Sequence, residues 1–344
     1  MKEIRKTARD LMTGFCRVCP VCNGKVCAGE VPGMGGLGTG SAFTANVEAL
    51  ARCTFNMSLV HDVTEPDTSV EFLGRKLSMP VLAAPIGGVS FNMGGKRTEQ
   101  EYITAVIEGC RGSGIIGCTG DGVPSFIYES GFAAIAAAGG HGIPFIKPWE
   151  DAELYEKLEK ARATGASIIG MDIDAAGLVT LRKMGRPVSA KPVEKLREII
   201  ERAGAGFIVK GVMTVKDARL AKEAGAHAIV VSNHGGRVLD HTPGTADVLP
   251  EIARELKGKL PILVDGGIRT GGDVLKMLAL GADAVMIGRP FTIAAMGGLT
   301  EGVTKYIETL RTELVQAMVM TGTQTLGRVS PDILYRSPTP ATGR

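Results

Sequence analysis

The chain has 344 residues, 44% hydrophobic and 22% charged, the balance of a globular protein. Its formal charge of +3 is too small to argue for a nucleic-acid partner, and scattered Lys and Arg on solvated helix faces explain it. No apolar run approaches the roughly 18 residues of a membrane span, so neither nucleic acid nor membrane is an expected partner.

The first residues, Met1-Lys2-Glu3-Ile4-Arg5-Lys6, lack the apolar core of a signal peptide, and the expected location is the cytoplasm. The seven cysteines are then expected as thiols, because that compartment keeps them reduced. Four of them, Cys16, Cys19, Cys22 and Cys27, follow a C-x2-C-x2-C-x4-C spacing. Such a cluster suits thiolate ligation of an iron–sulfur cluster or of zinc. Its spacing is close to the bacterial ferredoxin run without matching it. Reduced cysteines packed under the fold are the plainer reading. Residues 33–40, Gly-Met-Gly-Gly-Leu-Gly-Thr-Gly, are too glycine-rich for regular structure and read either as a linker or as a segment folded over a bound cofactor.

From residue 80 onward, short apolar runs alternate with amphipathic stretches. The runs are Pro80–Pro85, Gly114–Cys118, Ile143–Lys147, Ser167–Ile173, Phe207–Lys210, Ala228–Ser232, Pro261–Asp265 and Ala284–Gly288. Each is apolar nearly throughout, as a strand buried on both faces must be. Helical patterns fall between them at Asp151–Thr164, Pro192–Ala203, Val215–Ala224, Ala246–Lys257 and Gly272–Leu280. Gly165, Gly204, Gly225 and Gly281 stand where a left-handed helix cap is expected. Eight βα units in succession predict a closed (β/α)8 TIM barrel over 76–344, with residues 1–75 as a cysteine- and glycine-rich N-terminal extension packed on it.

Polar residues gather where the strands end: Lys147, Asp172 and Asp174, Lys210, Ser232 to Arg237, Asp265 to Arg269, and Gly288-Arg289. A barrel brings these ends together on its C-terminal face, where active sites are built. Any one of them is as well explained as a helix cap; their agreement across six strands is not. Asp172 and Asp174, two apart on a strand, would point the same way, with structural capping as the other reading. After the seventh and eighth strands, Asp265-Gly266-Gly267-Ile268-Arg269 and Gly288-Arg289-Pro290 combine glycines that admit a phosphate with arginines that pair with it. Ser232-Asn233-His234-Gly235-Gly236-Arg237 puts an imidazole at a strand end beside a cation. Its unperturbed pKa, near 6.5, suits proton abstraction.

Together with Val209-Lys210-Gly211-Val212 and Ile287-Gly288-Arg289-Pro290, these segments resemble the FMN-dependent α-hydroxy acid oxidases and dehydrogenases, which include glycolate and lactate oxidases. The match is dense from 205 to 292, looser back to 80, and poor over the first 75 residues. The resemblance implies FMN as cofactor and oxidation of a small hydroxylated substrate, a 2-hydroxy acid, in a homo-oligomer, a tetramer by analogy. It makes His234 the base, Asp174 the carboxylate that pairs with it, and Lys210 the cation at the flavin N1–O2 edge. It places Ala84, Pro85, Ile86, Gly87, Thr119, Asp172 and Ser232 around the flavin. Asp265, Gly266, Gly267, Arg269, Gly288 and Arg289 would hold its phosphate, and Arg237 would grip the substrate carboxylate.

The substrate half departs from the family. Its second arginine is absent from Ala175-Ala176-Gly177-Leu178-Val179, and Lys147 stands near the place of a tyrosine. Lys147 would supply charge, though not the fork that arginine offers a carboxylate. The N-terminal tyrosine of the family has no counterpart, and the segment from Asp174 to Lys210 is short. A flavin-dependent isomerase of the type 2 isopentenyl diphosphate isomerase kind is the alternative, since a diphosphate substrate needs no carboxylate clamp. An iron–sulfur cluster at the cysteines would instead imply a redox partner and a dehydrogenase.

Overall fold

The computed structural model describes residues 1–186, 188–327 and 329–335. The last nine residues of the expected barrel unit, 336–344, lie outside them. The extension carries α1 (Lys2–Leu11), α2 (Ser41–Arg52) and a hairpin of β1 (Val70–Phe72) and β2 (Arg75–Leu77). Then come β3 (Val81–Ala83), α3 (Val89–Asn92), α4 (Glu99–Gly112), β4 (Ile116–Thr119), α5 (Ser125–Ala137), β5 (Ile143–Ile146), α6 (Asp151–Ala163) and β6 (Ile168–Asp172). The second half runs α7 (Val179–Lys183), α8 (Val193–Ala203), β7 (Gly206–Val212), α9 (Val215–Glu223), β8 (Ala228–Val231), α10 (Thr245–Leu256), β9 (Ile262–Val264), α11 (Gly271–Ala279), β10 (Ala284–Ile287) and α12 (Arg289–Met320).

Strands β3 to β10 pair in parallel and close, β10 returning to β3. All eight apolar runs are therefore barrel strands, and the four expected glycine caps all adopt positive φ. Alternate residues of each strand face the axis. Leu82, Ile116, Ile143, Phe145, Ile168, Ile208, Val230, Leu263 and Met286 fill it as one cluster. Phe72 and Leu77 of the hairpin join that cluster, so β1 and β2 close one end of the barrel. The expected boundary at residue 75 falls inside this hairpin. The odd-numbered apolar residues of β6 to β8, among them Ile169, Val209 and Ile229, belong instead to the second cluster, shared with the helices.

At Gly170 the inward position of β6 is left without a side chain, and Phe145 takes the space; a Cβ at 170 would overlap its ring. The extension is not an appendage. Ile4 of α1 lies against Gly297 and Gly298 of α12, and Gly244 lies against Ala45 and Ala49 of α2, before α10. Among the described residues no helix is long and apolar enough to cross a membrane.

The Gly170→Ala variant is expected to lose about 1–3 kcal/mol of stability through overpacking against Phe145. A lower urea midpoint with an unchanged slope would show it; an unchanged midpoint would mean the axis is not packed as described.

Candidate functional site

One step beyond the apolar cluster, the next inward position of several strands is polar. Lys147, Asp172, Lys210, Ser232 and Asp265 occupy that row, and all are buried. The β6–β7 register sets Asp172 beside Lys210, whose Nζ lies 3.1 Å from Asp172 Oδ1 and 3.7 Å from Asp265 Oδ2. Burial works against the charge of Lys210, but Asp172, then Asp174 and Asp265, outweigh it and hold its pKa well above the ordinary lysine value. Burial pushes Asp265 up, opposed by Lys210 and by the Ser232 hydroxyl, which donates to its Oδ2 at 2.8 Å.

His234 follows β8 in the left-handed region, at φ 57°, uncommon for a residue with a Cβ and frequent at functional sites. Its backbone N–H donates to Ser232 Oγ at 3.0 Å. The turn is completed by Gly236, whose N–H donates to Asn233 Oδ1; a Cβ at 236 would strike the backbone of Phe43 in α2. Asn233 in turn exchanges hydrogen bonds with Asn46 of α2. Imidazole Nδ1 stands 3.0 Å from Asp174 Oδ1.

Asp172 and Asp174 do not share a strand, as the two-residue spacing suggested. Asp172 ends β6, and Asp174 sits on the 3-10 turn 173–177. Gly211 makes room for it, since a Cβ there would lie 2.6 Å from Asp174 Cβ and Cγ; the β7–β8 register shifts at this point. Burial opposes ionisation of Asp174, but His234, then Lys210, overcome it and lower its pKa. An ionised Asp174 fixes the proton of His234 on Nδ1 and leaves Nε2 as the basic atom.

A cavity opens above this row. Ala84, Pro85, Ile86 and Gly87 line it, as do Lys147, Lys210, His234, Arg237, Asp265, Gly266, Gly267, Arg269, Gly288 and Arg289. Asp172, Asp174 and Ser232 lie behind the lining. Thr119 departs from expectation: the inward residue of β4 is Cys118, and the Thr119 side chain faces Gly131 on α5.

The glycine segment after the cysteines crosses this mouth. Arg237 Nη1 donates to the carbonyls of Gly33 and Gly35 at 2.7 and 3.0 Å, and its Nη2 to Asn92 Oδ1 at 3.1 Å. Arg289 donates to the carbonyls of Met34, Gly35 and Gly235. Arg237, the residue the resemblance assigns to a substrate carboxylate, is thus tied to the crossing segment. Among the described residues neither arginine has a carboxylate within ion-pair distance. Burial pushes Arg237 down to about 10; burial, then the charge of Arg237, pushes Arg289 to about 9. Arg269 Nε is buried without a partner. Three cations so placed, beside Gly266 and Gly267 at φ 95° and 81°, call for an anion. A flavin phosphate fits that demand. The four N-terminal cysteines line a smaller cavity that shares Met34 and Arg289 with the mouth.

Three residues of this arrangement escaped the sequence reading: Asn46, Asn92 and Gly211. Asn46 and Asn233 are 187 positions apart, and no local pattern joins them. Gly211 was visible only as part of Val209-Lys210-Gly211-Val212, with nothing to say which side chain it accommodates.

Barrel, phosphate-type glycine turns and a His–Asp pair at the strand ends define a flavin-dependent barrel oxidoreductase. The chain belongs to the FMN-dependent dehydrogenase family, whose model matches residues 33–192 and 182–336, and FMN is its cofactor. It is 33% identical over 327 residues to glycolate oxidase 5 of Oryza sativa subsp. japonica, covering 83% of this chain and 85% of the relative. To the glycolate oxidase of Spinacia oleracea it is 32% identical with the same coverage. A crystal structure of mandelate oxidase superposes with a TM-score of 0.78 at 28% identity, over 97% of each chain. The isomerase alternative finds no support in these matches.

The Arg269→Ala variant removes a charged donor expected to hold the FMN phosphate. Loss of such a bond costs about 1.5–3 kcal/mol, so the FMN dissociation constant is expected to rise roughly 10- to 100-fold. Flavin fluorescence titration of the apoprotein measures it, and unchanged affinity would remove Arg269 from the phosphate site.

Proposed function

We propose that the protein oxidises a 2-hydroxy acid bearing an apolar side chain to the 2-oxo acid, with His234 taking the hydroxyl proton. The observation that carries this reading is the His234–Asp174 pair, 3.0 Å apart, at the floor of a mouth lined by Lys147, Lys210 and Arg237. FMN supplies a two-electron acceptor when bound. The chain's residues do the rest. His234 Nε2 accepts the proton, and Asp174 stabilises the imidazolium that results. Lys210, held charged by its three carboxylates, offers positive potential to negative charge developing over the row.

Lys147 has no acidic partner within ion-pair distance among the described residues, and its side chain is buried at the mouth. It is the cation we assign to the substrate carboxylate, with Arg237 beside it. The walls around that position are apolar: Pro32, Met34, Phe91, Leu178, Leu181 and Met184. Three of these come from α7 and its flanks, the short segment that replaces a longer family loop. An apolar wall favours a hydrophobic substituent over the hydrogen of glycolate. A cytoplasmic location and a homo-oligomer, a tetramer by resemblance, belong to the same proposal.

Anaerobic mixing with glycolate, aliphatic and aromatic 2-hydroxy acids tests the reading. Bleaching of the flavin is expected to be faster with the larger acids, and no bleaching by any of them would overturn it. In His234→Ala the FMN should remain while the bleaching rate falls roughly 10²–10⁴-fold; retained reduction would sink the base assignment. Lys147→Met should raise the half-saturating acid concentration roughly 10- to 100-fold at unchanged FMN content, and an unaltered value would free Lys147 of that role.

A further inference from the structure

The four N-terminal cysteines are absorbed neither by the flavin site nor by the proposed reaction. The chain wraps them around one cavity: Cys16, Cys19, Cys22 and Cys27 all line it, as loop residues between α1 and α2. The wrapping is held from outside. Arg9 of α1 donates to the carbonyls of Arg17 and Val18, and Arg5 to that of Cys19. Val18 is left-handed, φ 46°, a costly conformation for a β-branched residue, and its N–H donates to Cys16 Sγ at 3.4 Å. A backbone N–H turned onto a cysteine sulfur is a contact by which proteins tune thiolate-bound clusters.

Two observations choose the occupant. The first is spacing. Zinc–sulfur bonds are about 2.3 Å, so two thiolates on one zinc lie at most about 4.6 Å apart. Among the described residues the only three-member group of ligand atoms within 4.8 Å of one another is Asp172, Asp174 and His234. No three of the cysteine sulfurs lie within 4.8 Å of one another. An iron–sulfur core, whose own iron and sulfide atoms stand between its ligands, needs that wider spacing. The second is charge. Four thiolates around such a core carry net negative charge, and arginines stand ready to balance it. Arg269 Nη2 is 3.6 Å from Cys22 Sγ, Arg289 lines the cavity, and neither has a carboxylate partner among the described residues.

We propose that Cys16, Cys19, Cys22 and Cys27 bind a four-iron, four-sulfide cluster, with Arg269 and Arg289 balancing its charge. The C-x2-C-x2-C run supplies three ligands at the bacterial ferredoxin spacing, and Cys27, brought back by the 3-10 turn Lys25–Cys27, supplies the fourth. Met34 and Arg289 line both this cavity and the barrel mouth, so the cluster would be a second redox centre one side chain away from the flavin site. The binding claim does not depend on which hydroxy acid the barrel oxidises.

Metal and sulfide analysis of the full-length protein, purified without oxygen and reconstituted with ferrous iron and sulfide, tests it. About four irons and four acid-labile sulfides per chain are expected, with a low-temperature paramagnetic resonance signal after dithionite reduction. Cys22→Ser should lose the signal and most of the iron, whereas Cys53→Ser, at the far end of α2, should keep both. Stoichiometric zinc, two irons per chain, or no bound metal after reconstitution would overturn the proposal. The metal content and spectrum of the unsubstituted protein decide the matter even if Cys22→Ser does not fold.

Discussion

Closing eight parallel strands into a barrel forces alternate residues of every strand onto one axis, and the site depends on that constraint. The lower inward positions are apolar and fill the axis. The next inward row carries Lys147, Asp172, Lys210, Ser232 and Asp265, charges that would be costly anywhere else in the interior. Three of them persist because they neutralise one another: Lys210 is bracketed by Asp172 and Asp265. Such a pair is weak evidence of stability, since its desolvation cost offsets its attraction. Its placement directly beneath the mouth is better explained by the chemistry that the row supports.

The second organising feature is the N-terminal extension. Its glycine segment lies across the mouth and is held by Arg237 and Arg289, while α2 buttresses the turn that presents His234. Two of the cations at the barrel mouth are thus the ones that fasten the extension. Arg289 lines both the mouth and the cysteine cavity, and Arg269, at the mouth, reaches to 3.6 Å from Cys22 Sγ. This placement of cations couples the two cavities electrostatically, and in the proposed reaction Lys147 and the apolar residues of α7 serve the substrate side.

Much of this was legible in the chain. The eight strands were visible because a strand buried on both faces must be apolar throughout, and the polar residues after each run marked the functional end. His234, Lys210 and the two glycine–arginine turns stood out because they interrupt an apolar pattern where a barrel turns into its helix. The resemblance set Thr119 beside the flavin, whereas its side chain faces Gly131 on α5: one position of register separates a mouth residue from one facing a helix. Asp174 was assigned to a strand because spacing alone cannot register that β6 ends at Asp172 and a tight turn begins.

By itself, then, the sequence determined the barrel and marked the glycine–arginine turns and the histidine at a strand end, because periodicity and turn chemistry are local. Tertiary structure alone decided that Asn46 pins the histidine turn, that Gly211 makes room for Asp174, and that Arg237 is held by the glycine segment. It also decided that the four cysteines surround one space beside Arg269 and Arg289. Each of these is a contact between segments far apart in the chain, set by closure of the barrel and by packing of the extension upon it. No local pattern encodes such a distance.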